Sequence, residues 1–214
     1  MPLPPQSPSP DFSDVRKALR ADLIRRRKAL GPADWERRSA AIQRRVLDLP
    51  AWRDAGTVAL YAAARNEVST ALLLERAWAE GKQVLLPRCL PPDAGEGIME
   101  FVLCRGYGDL APGAFGLSEP GPACPALPRA GWDGGRAGAL RLPDLITVPA
   151  VGISPAGARL GYGKGFYDRL LSLPGWNGAR RLALVFAFQI ADFPSGPLDV
   201  PMHGYATEKE LLWL

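Results

Sequence analysis

The chain has a single histidine, His203, among its 214 residues. A metal site built from several histidines is therefore excluded, as is a Ser-His-Asp triad with partners to spare. Cysteine is scarce too: Cys89, Cys104 and Cys124 stand far apart with no C-x-x-C spacing. Any disulfide would leave one thiol over, so a reducing, cytoplasmic setting is expected. No stretch approaches the roughly 20 apolar residues that a membrane-spanning helix needs, so no membrane partner is expected. The opening Met1-Pro2-Leu3-Pro4-Pro5 lacks the charged-then-apolar pattern of a secretory signal.

There is no acidic excess. The formal charge of +4 favours an anionic ligand. Much of that charge lies between Arg16 and Arg45, where a solvated helix face is the ordinary explanation and nucleic-acid binding is not expected. An apolar share of 47% with 22% charged residues is that of a globular protein. The length suits one catalytic domain, over residues 13–214. Residues 1–12, rich in proline and serine, have little to bury and are expected to form a disordered tail.

Val15, Leu19, Leu23 and Ile24 recur at helical spacing, with Ser13 or Asp14 as the cap and Gly31-Pro32 as the stop. A second helix is expected from Ala33 to Leu49, ended by Pro50. The apolar run Thr57 to Ala63 reads as a strand covered on both faces. Ser69-Thr70 can cap a helix over 71–80, Gly81 ends it, and Lys82 to Pro87 reads as the next strand. Together these make a parallel βαβ unit. Further strands are expected at 99–104, 144–153 and 181–188. The glycine- and proline-rich stretch 105–142 reads as mostly irregular, with an insertion near Gly131 to Gly138. The alternation of strands and helices predicts an α/β fold with a mostly parallel sheet flanked by helices.

The stretch richest in chemical meaning is G-A-R-L-G-Y-G-K-G-F-Y-D-R, from Gly157 to Arg169. Glycines at 161, 163 and 165 let the backbone approach a ligand and take φ values that other residues resist. The loop follows a strand and opens a helix at 166–171, so its amides can converge on phosphate oxygens, and Arg159 and Lys164 add positive charge. The spacing is neither that of the Rossmann fingerprint nor that of the P-loop, and neither mechanism transfers. Asp168, just inside the helix, could cap amides or hold Mg²⁺.

R-L-G-Y-G-K-G-F-Y-D-R at 159–169 resembles the signature of the 5-formyltetrahydrofolate cyclo-ligases. Other segments agree in the same order: R-K-A-L-R at 16–20, Y-A-A-A-R-N-E-V-S-T at 61–70, G-K-x-V-x-L-P-R at 81–88 with Met99-Glu100-Phe101, F-G-L-S-E-P at 115–120, Phe188-Gln189, D-V-P-M at 199–202 and Thr207-Glu208. The resemblance implies a three-layer α/β sandwich like that of ribose-phosphate isomerases and CoA transferases. It also implies ATP- and Mg²⁺-dependent closure of 5-formyltetrahydrofolate, which can carry a polyglutamate tail, into 5,10-methenyltetrahydrofolate by a monomeric enzyme.

Carried over by position, the ATP contacts would be Arg16, Lys17, Ala18, Leu19 and Arg20 on the first helix, with Arg159, Leu160, Gly161, Tyr162, Gly163, Lys164, Gly165, Phe166 and Tyr167. Among these, Lys17, Arg159 and Lys164 would act on the reacting phosphate. Tyr61, Ala62, Glu67 and Met99 would face the folate, and Asp168 and Asp199 would hold Mg²⁺. Phe166 stands where tyrosine is frequent in the family, and His203 where an acidic residue is. Two other readings compete. A sugar-phosphate isomerase or acyl-CoA transferase would explain the phosphate loop but not R-K-A-L-R with Asp199. A nucleic-acid-binding module has only the basic first helix in its favour.

Overall fold

A computed structural model describes residues 12–91, 95, 98–113, 116–127 and 140–214. The expected tail, apart from Phe12, and the glycine-rich stretch 131–138 lie outside the described residues. Phe12 belongs to helix α1 (Phe12–Lys28), so Ser13 and Asp14 sit within its first turn and do not cap it. Helix α2 (Pro32–Leu47) starts one residue earlier than the pattern predicts, because Pro32 has the φ of a first helical position and no amide to lose there. Pro50 does not merely end α2. It opens a separate short helix, α3 (Pro50–Asp54), for the same reason.

Strands β1 (Thr57–Ala59), β2 (Gln83–Cys89) and β3 (Met99–Leu103) surround helix α4 (Ala71–Ala79) in sequence. The connection expected to be irregular contains a hairpin, β4 (Leu110–Pro112) with β5 (Ser118–Pro120), whose pairing no local apolar pattern announces. After it come β6 (Leu145–Pro149), the small hairpin β7 (Gly152–Ile153) and β8 (Arg159–Leu160), α5 (Phe166–Leu171), β9 (Arg180–Leu184), β10 (Gly204–Ala206) and β11 (Leu211–Trp213).

Seven strands form the central sheet in the order β11-β10-β9-β6-β1-β2-β3. The five inner strands run parallel, and β3 and β11 close the two edges antiparallel. Side chains alternate between two apolar layers. Val58, Val84, Leu86, Leu145, Leu182 and Leu184 face α2, α3 and α4 through Ile42, Val46, Trp52 and Leu73. Ala59, Leu85, Ile146, Val148 and Ala183 face Leu170, Leu171 and Trp176 on the other side. Both faces are covered, which is why these strands read as continuous apolar runs. The fold is thus the mostly parallel sheet flanked by helices that the alternation of elements predicts, in the three-layer α/β arrangement that the family resemblance implies.

Helix α1 belongs to a third, smaller cluster. Its Leu23, flanked by Leu19 and Ile24, packs on Val151 and Leu160 of the β7–β8 hairpin and on Phe193. That contact aims the polar face of α1 at the carboxyl ends of β1 and β6. From β1 the chain goes to β2 on one side and later to β6 on the other, so β1 and β6 flank the point where the winding reverses. In open α/β sheets ligands bind in the crevice at such a switch.

Candidate active site

A cleft of about 580 Å³ lies at that switch. Its walls are the ends of β1 and β2, the turn at 64–67, the hairpin tip at 117–119, the loop 161–165, the first turn of α5, and Arg16 and Arg20 of α1.

The glycine loop is built as its spacing requires. Gly163 and Gly165 take φ of 94° and 67°, in the left-handed region that side chains resist. Gly161 answers a different need: a Cβ there would stand 2.6 Å from Nη1 of Arg159, so the missing side chain is the space that this guanidinium occupies. Arg20 pins the loop from α1, its Nε donating to the Gly161 carbonyl at 2.7 Å.

Two arginine–aspartate pairs organise the cationic wall. Arg159 is 5% exposed; its Nη2 donates to Oδ2 of Asp168 at 2.8 Å, its Nε has no partner, and its guanidinium sits 5.5 Å from the Tyr167 ring. Asp168 does not cap its own helix. Its other oxygen accepts the Val200 amide at 3.3 Å, tying α5 to the segment that carries Asp199. Arg16 pairs with Asp199, which also accepts the Gly196 amide at 2.7 Å. Burial pushes the Asp199 carboxyl upward, but the Arg16 hydrogen bond, the amide and the charges of Arg16 and Arg159 together hold it below the usual carboxylate range.

The opposite wall carries a buried carboxylate. Residues Ala64 to Glu67 form a turn in which the Glu67 amide donates to the Ala64 carbonyl at 2.8 Å, while Arg65 and Asn66 take φ of 52° and 57°. Two consecutive left-handed residues are the mark of a primed turn, and for arginine that conformation is strained. The turn is held from outside, because Trp35 Nε1 of α2 donates to the Glu67 carbonyl at 2.8 Å. The Glu67 side chain accepts the Ala64 amide at 3.1 Å and faces the Tyr162 hydroxyl. Burial raises its pKa, opposed by the nearby Arg27 charge. Tyr61 is fully engaged, its hydroxyl donating to the Val68 carbonyl at 2.9 Å and its own carbonyl accepting from Thr70.

Of the expected site residues, Arg16, Arg20, Tyr61, Ala62, Glu67, Met99, Arg159, the residues from Gly161 through Tyr167, Asp168 and Asp199 line one cleft. Lys17 and Ala18 are exposed outside it, and Leu19 and Leu160 belong to the apolar seam under α1. Helical geometry accounts for the split: 16, 20 and 27 share one face, whereas 17 points about 100° away. His203 lies away from the cleft, its Nδ1 accepting the Arg181 amide at 3.1 Å.

Sequence reasoning missed Arg65, Pro87, Cys89, Pro149 and the hairpin tip Leu117 to Glu119, all in the lining, and Arg27 behind it. The 16–20–27 spacing could have pointed to Arg27. For the hairpin the signal was the F-G-L-S-E-P segment, although its place at the cleft depends on an Arg88–Glu100 pair at 2.7 Å whose arginine also donates to the Gly121 carbonyl at 2.5 Å. Cys89 is no nucleophile: burial, with the Glu119 hydrogen bond, pushes its thiol up to about 12.

The sequence model described as the 5-formyltetrahydrofolate cyclo-ligase family matches residues 12–208. A 5-formyltetrahydrofolate cyclo-ligase of Mycolicibacterium smegmatis is 32% identical over 200 residues, covering 91% of this chain and 94% of that protein. A probable 5-formyltetrahydrofolate cyclo-ligase of Schizosaccharomyces pombe is 31% identical over 136 residues, or 63% of this chain and 60% of the other. The solved structure of Aquifex aeolicus 5,10-methenyltetrahydrofolate synthetase superposes with a TM-score of 0.75 at 26% identity, covering 93% of this chain and 92% of that one.

Proposed function

The chain belongs to the 5-formyltetrahydrofolate cyclo-ligase family, and from that premise we propose that it closes 5-formyltetrahydrofolate into 5,10-methenyltetrahydrofolate at the expense of ATP. The observation that carries the reading is the polarity of the cleft. One wall bears Arg16, Arg20, Arg159 and Lys164 around a glycine loop; the other bears the buried carboxylate of Glu67. A triphosphate suits the first wall, and a pterin ring with its N–H donors suits the second.

The formyl oxygen is a poor leaving group as oxide. Its attack on the γ-phosphorus converts it into a phosphate ester and releases ADP. Nitrogen 10 then bonds the formyl carbon, inorganic phosphate departs with that oxygen, and the nitrogen loses its proton. The protein's part is to align the formyl oxygen with the γ-phosphorus and to neutralise charge as it develops. Arg159 and Lys164 are the cations placed for it, Arg16 and Arg20 would hold the outer phosphates, and Lys17 would add charge only from the rim.

Asp168 and Asp199 offer oxygen donors of the kind a hard cation takes, yet each is already paired with an arginine. Among the described residues no group of three or more potential metal-ligating side chains exists. The donor set therefore suits Mg²⁺ that would arrive with the nucleotide, held by Asp168 and Asp199, better than a resident metal. Such an ion would neutralise part of the triphosphate charge. The basic rim would suit a polyglutamate tail. Three free cysteines suit a reducing cytoplasm.

The test is absorbance of methenyltetrahydrofolate formed from 5-formyltetrahydrofolate, with and without ATP and Mg²⁺. Product is expected only with both. ATP-independent turnover, or none in any mixture, would overturn the reading.

A further inference from the structure

Arg27 is 1% exposed, the most deeply buried charged side chain of α1. Its Nη2 donates to the Tyr162 hydroxyl, its Nη1 to the Ala150 carbonyl at 3.4 Å, and its Nε has no partner. The Tyr162 hydroxyl also faces the Glu67 carboxylate, whose pKa it helps to lower. Two guanidiniums lie against the Tyr162 ring, Arg27 at 5.6 Å and Arg65 at 5.5 Å from its centroid. Three chain segments far apart in sequence thus meet at one hydroxyl: α1, the glycine loop, and the turn that presents Glu67.

We propose that Arg27 is a positioning residue, which holds Tyr162 and Glu67 in one arrangement across the cleft and so ties the glycine loop to the turn opposite. A structural role alone would not select arginine here. A buried guanidinium with an unpartnered N–H costs stability, and an apolar side chain of similar length would fill the same helix face more cheaply. What arginine adds is a positive charge behind a carboxylate that its surroundings would otherwise neutralise. The groups facing Glu67 are Arg27 from α1, Tyr162 and Tyr167 from the loop and α5, and Tyr61 and Arg65 from its own segment. Burial drives its pKa up; Arg27 leads the opposing influences, with Arg65 among the smaller ones. The task of Glu67 at the folate rests on the function proposed above, whereas the network itself does not.

The experiment follows the Glu67 carboxylate by ¹³C NMR against pH in the ligand-free protein, its signal assigned with Glu67→Gln. Two neutral replacements, Arg27→Met and Arg27→Gln, are compared with Arg27→Lys. Either neutral variant should move the Glu67 midpoint up by at least one pH unit, about tenfold in proton affinity. Arg27→Lys should keep most of the wild-type value. The acid limb of kcat/KM for the folate should move with the midpoint, while KM for ATP changes less than about twofold. A midpoint unchanged in a folded neutral variant overturns the proposal. A midpoint that moves in a protein without cyclo-ligase activity would leave the network standing and remove the function; activity with an unmoved midpoint would do the reverse.

Discussion

Replacing Arg159 by alanine removes a buried cation from the centre of the cleft, and the structure allows its effect to be divided in two. The first part is stability. Breaking a buried ion pair by deleting one partner costs about 3–5 kcal/mol, because the other charge is left without compensation. Asp168 would keep the Val200 amide, and its side chain is 18% open to solvent, which places the cost near the lower end, about 3 kcal/mol. For a chain of this size each kcal/mol shifts the unfolding temperature by about 2–4 °C, so a fall of roughly 6–12 °C is expected. The second part is catalysis. Loss of one preorganised donor to developing charge costs about 10²–10³ in rate, and that factor should appear in kcat/KM measured by methenyltetrahydrofolate absorbance at a temperature where both proteins are folded. Arg159→Lys should recover part of the rate but not all, since an ammonium cannot serve Asp168 and a phosphate oxygen with a planar fork. The pair is too buried for salt to imitate the mutation. Turnover within about threefold of wild type, with ATP affinity unchanged in calorimetry, would refute the assignment of Arg159 to the phosphate.

Three further outcomes are expected. Glu67→Gln should weaken folate binding by about 10- to 100-fold, the scale of a hydrogen bond to a charged group, with ATP affinity little changed; calorimetry showing an effect on ATP alone reverses the assignment of the two walls. The same variant has a signature in stability. Burial raises the folded-state pKa of Glu67 above its unfolded value. Its ionisation therefore costs folding energy as pH rises through the folded value, and below the ordinary glutamate range that cost is absent. Denaturation of the ligand-free protein should find Glu67→Gln more stable than wild type at neutral pH and equal to it in acid; an advantage that grows in acid contradicts the burial argument. Trp52→Ala should cost about 3–5 kcal/mol, since Trp52 is 1% exposed in the layer under α2 and α4 and its indole N–H donates to Glu80 at 3.2 Å. Urea unfolding should show a lower midpoint at an unchanged m value.

The local order of the chain was legible where a short-range rule applied. Short continuous apolar runs rich in β-formers mark β1, β2, β6 and β9, as expected of strands covered on both faces. The glycines at 161, 163 and 165 likewise announced a loop whose backbone must turn through conformations barred to other residues, and α5 begins and ends where the pattern placed it. Shifted ends elsewhere, as at Pro32 and Pro50, reflect proline acting at a first helical position rather than as a stop.

The conformation of residues 64–67 was out of reach, because the left-handed φ at Arg65 is held by partners from α2 and the glycine loop rather than by its own preference. The same holds for Arg27, which by itself reads as one charge in a basic helix. Sequence alone determined the main helices and inner strands, the phosphate-suited loop and the family likeness, since each depends on neighbours a few residues away or on a linear motif. Only the tertiary structure decided which charges are buried and what they face, because burial and charge pairing are set by segments more than a hundred residues apart, as Arg16 with Asp199 and Arg27 with Tyr162.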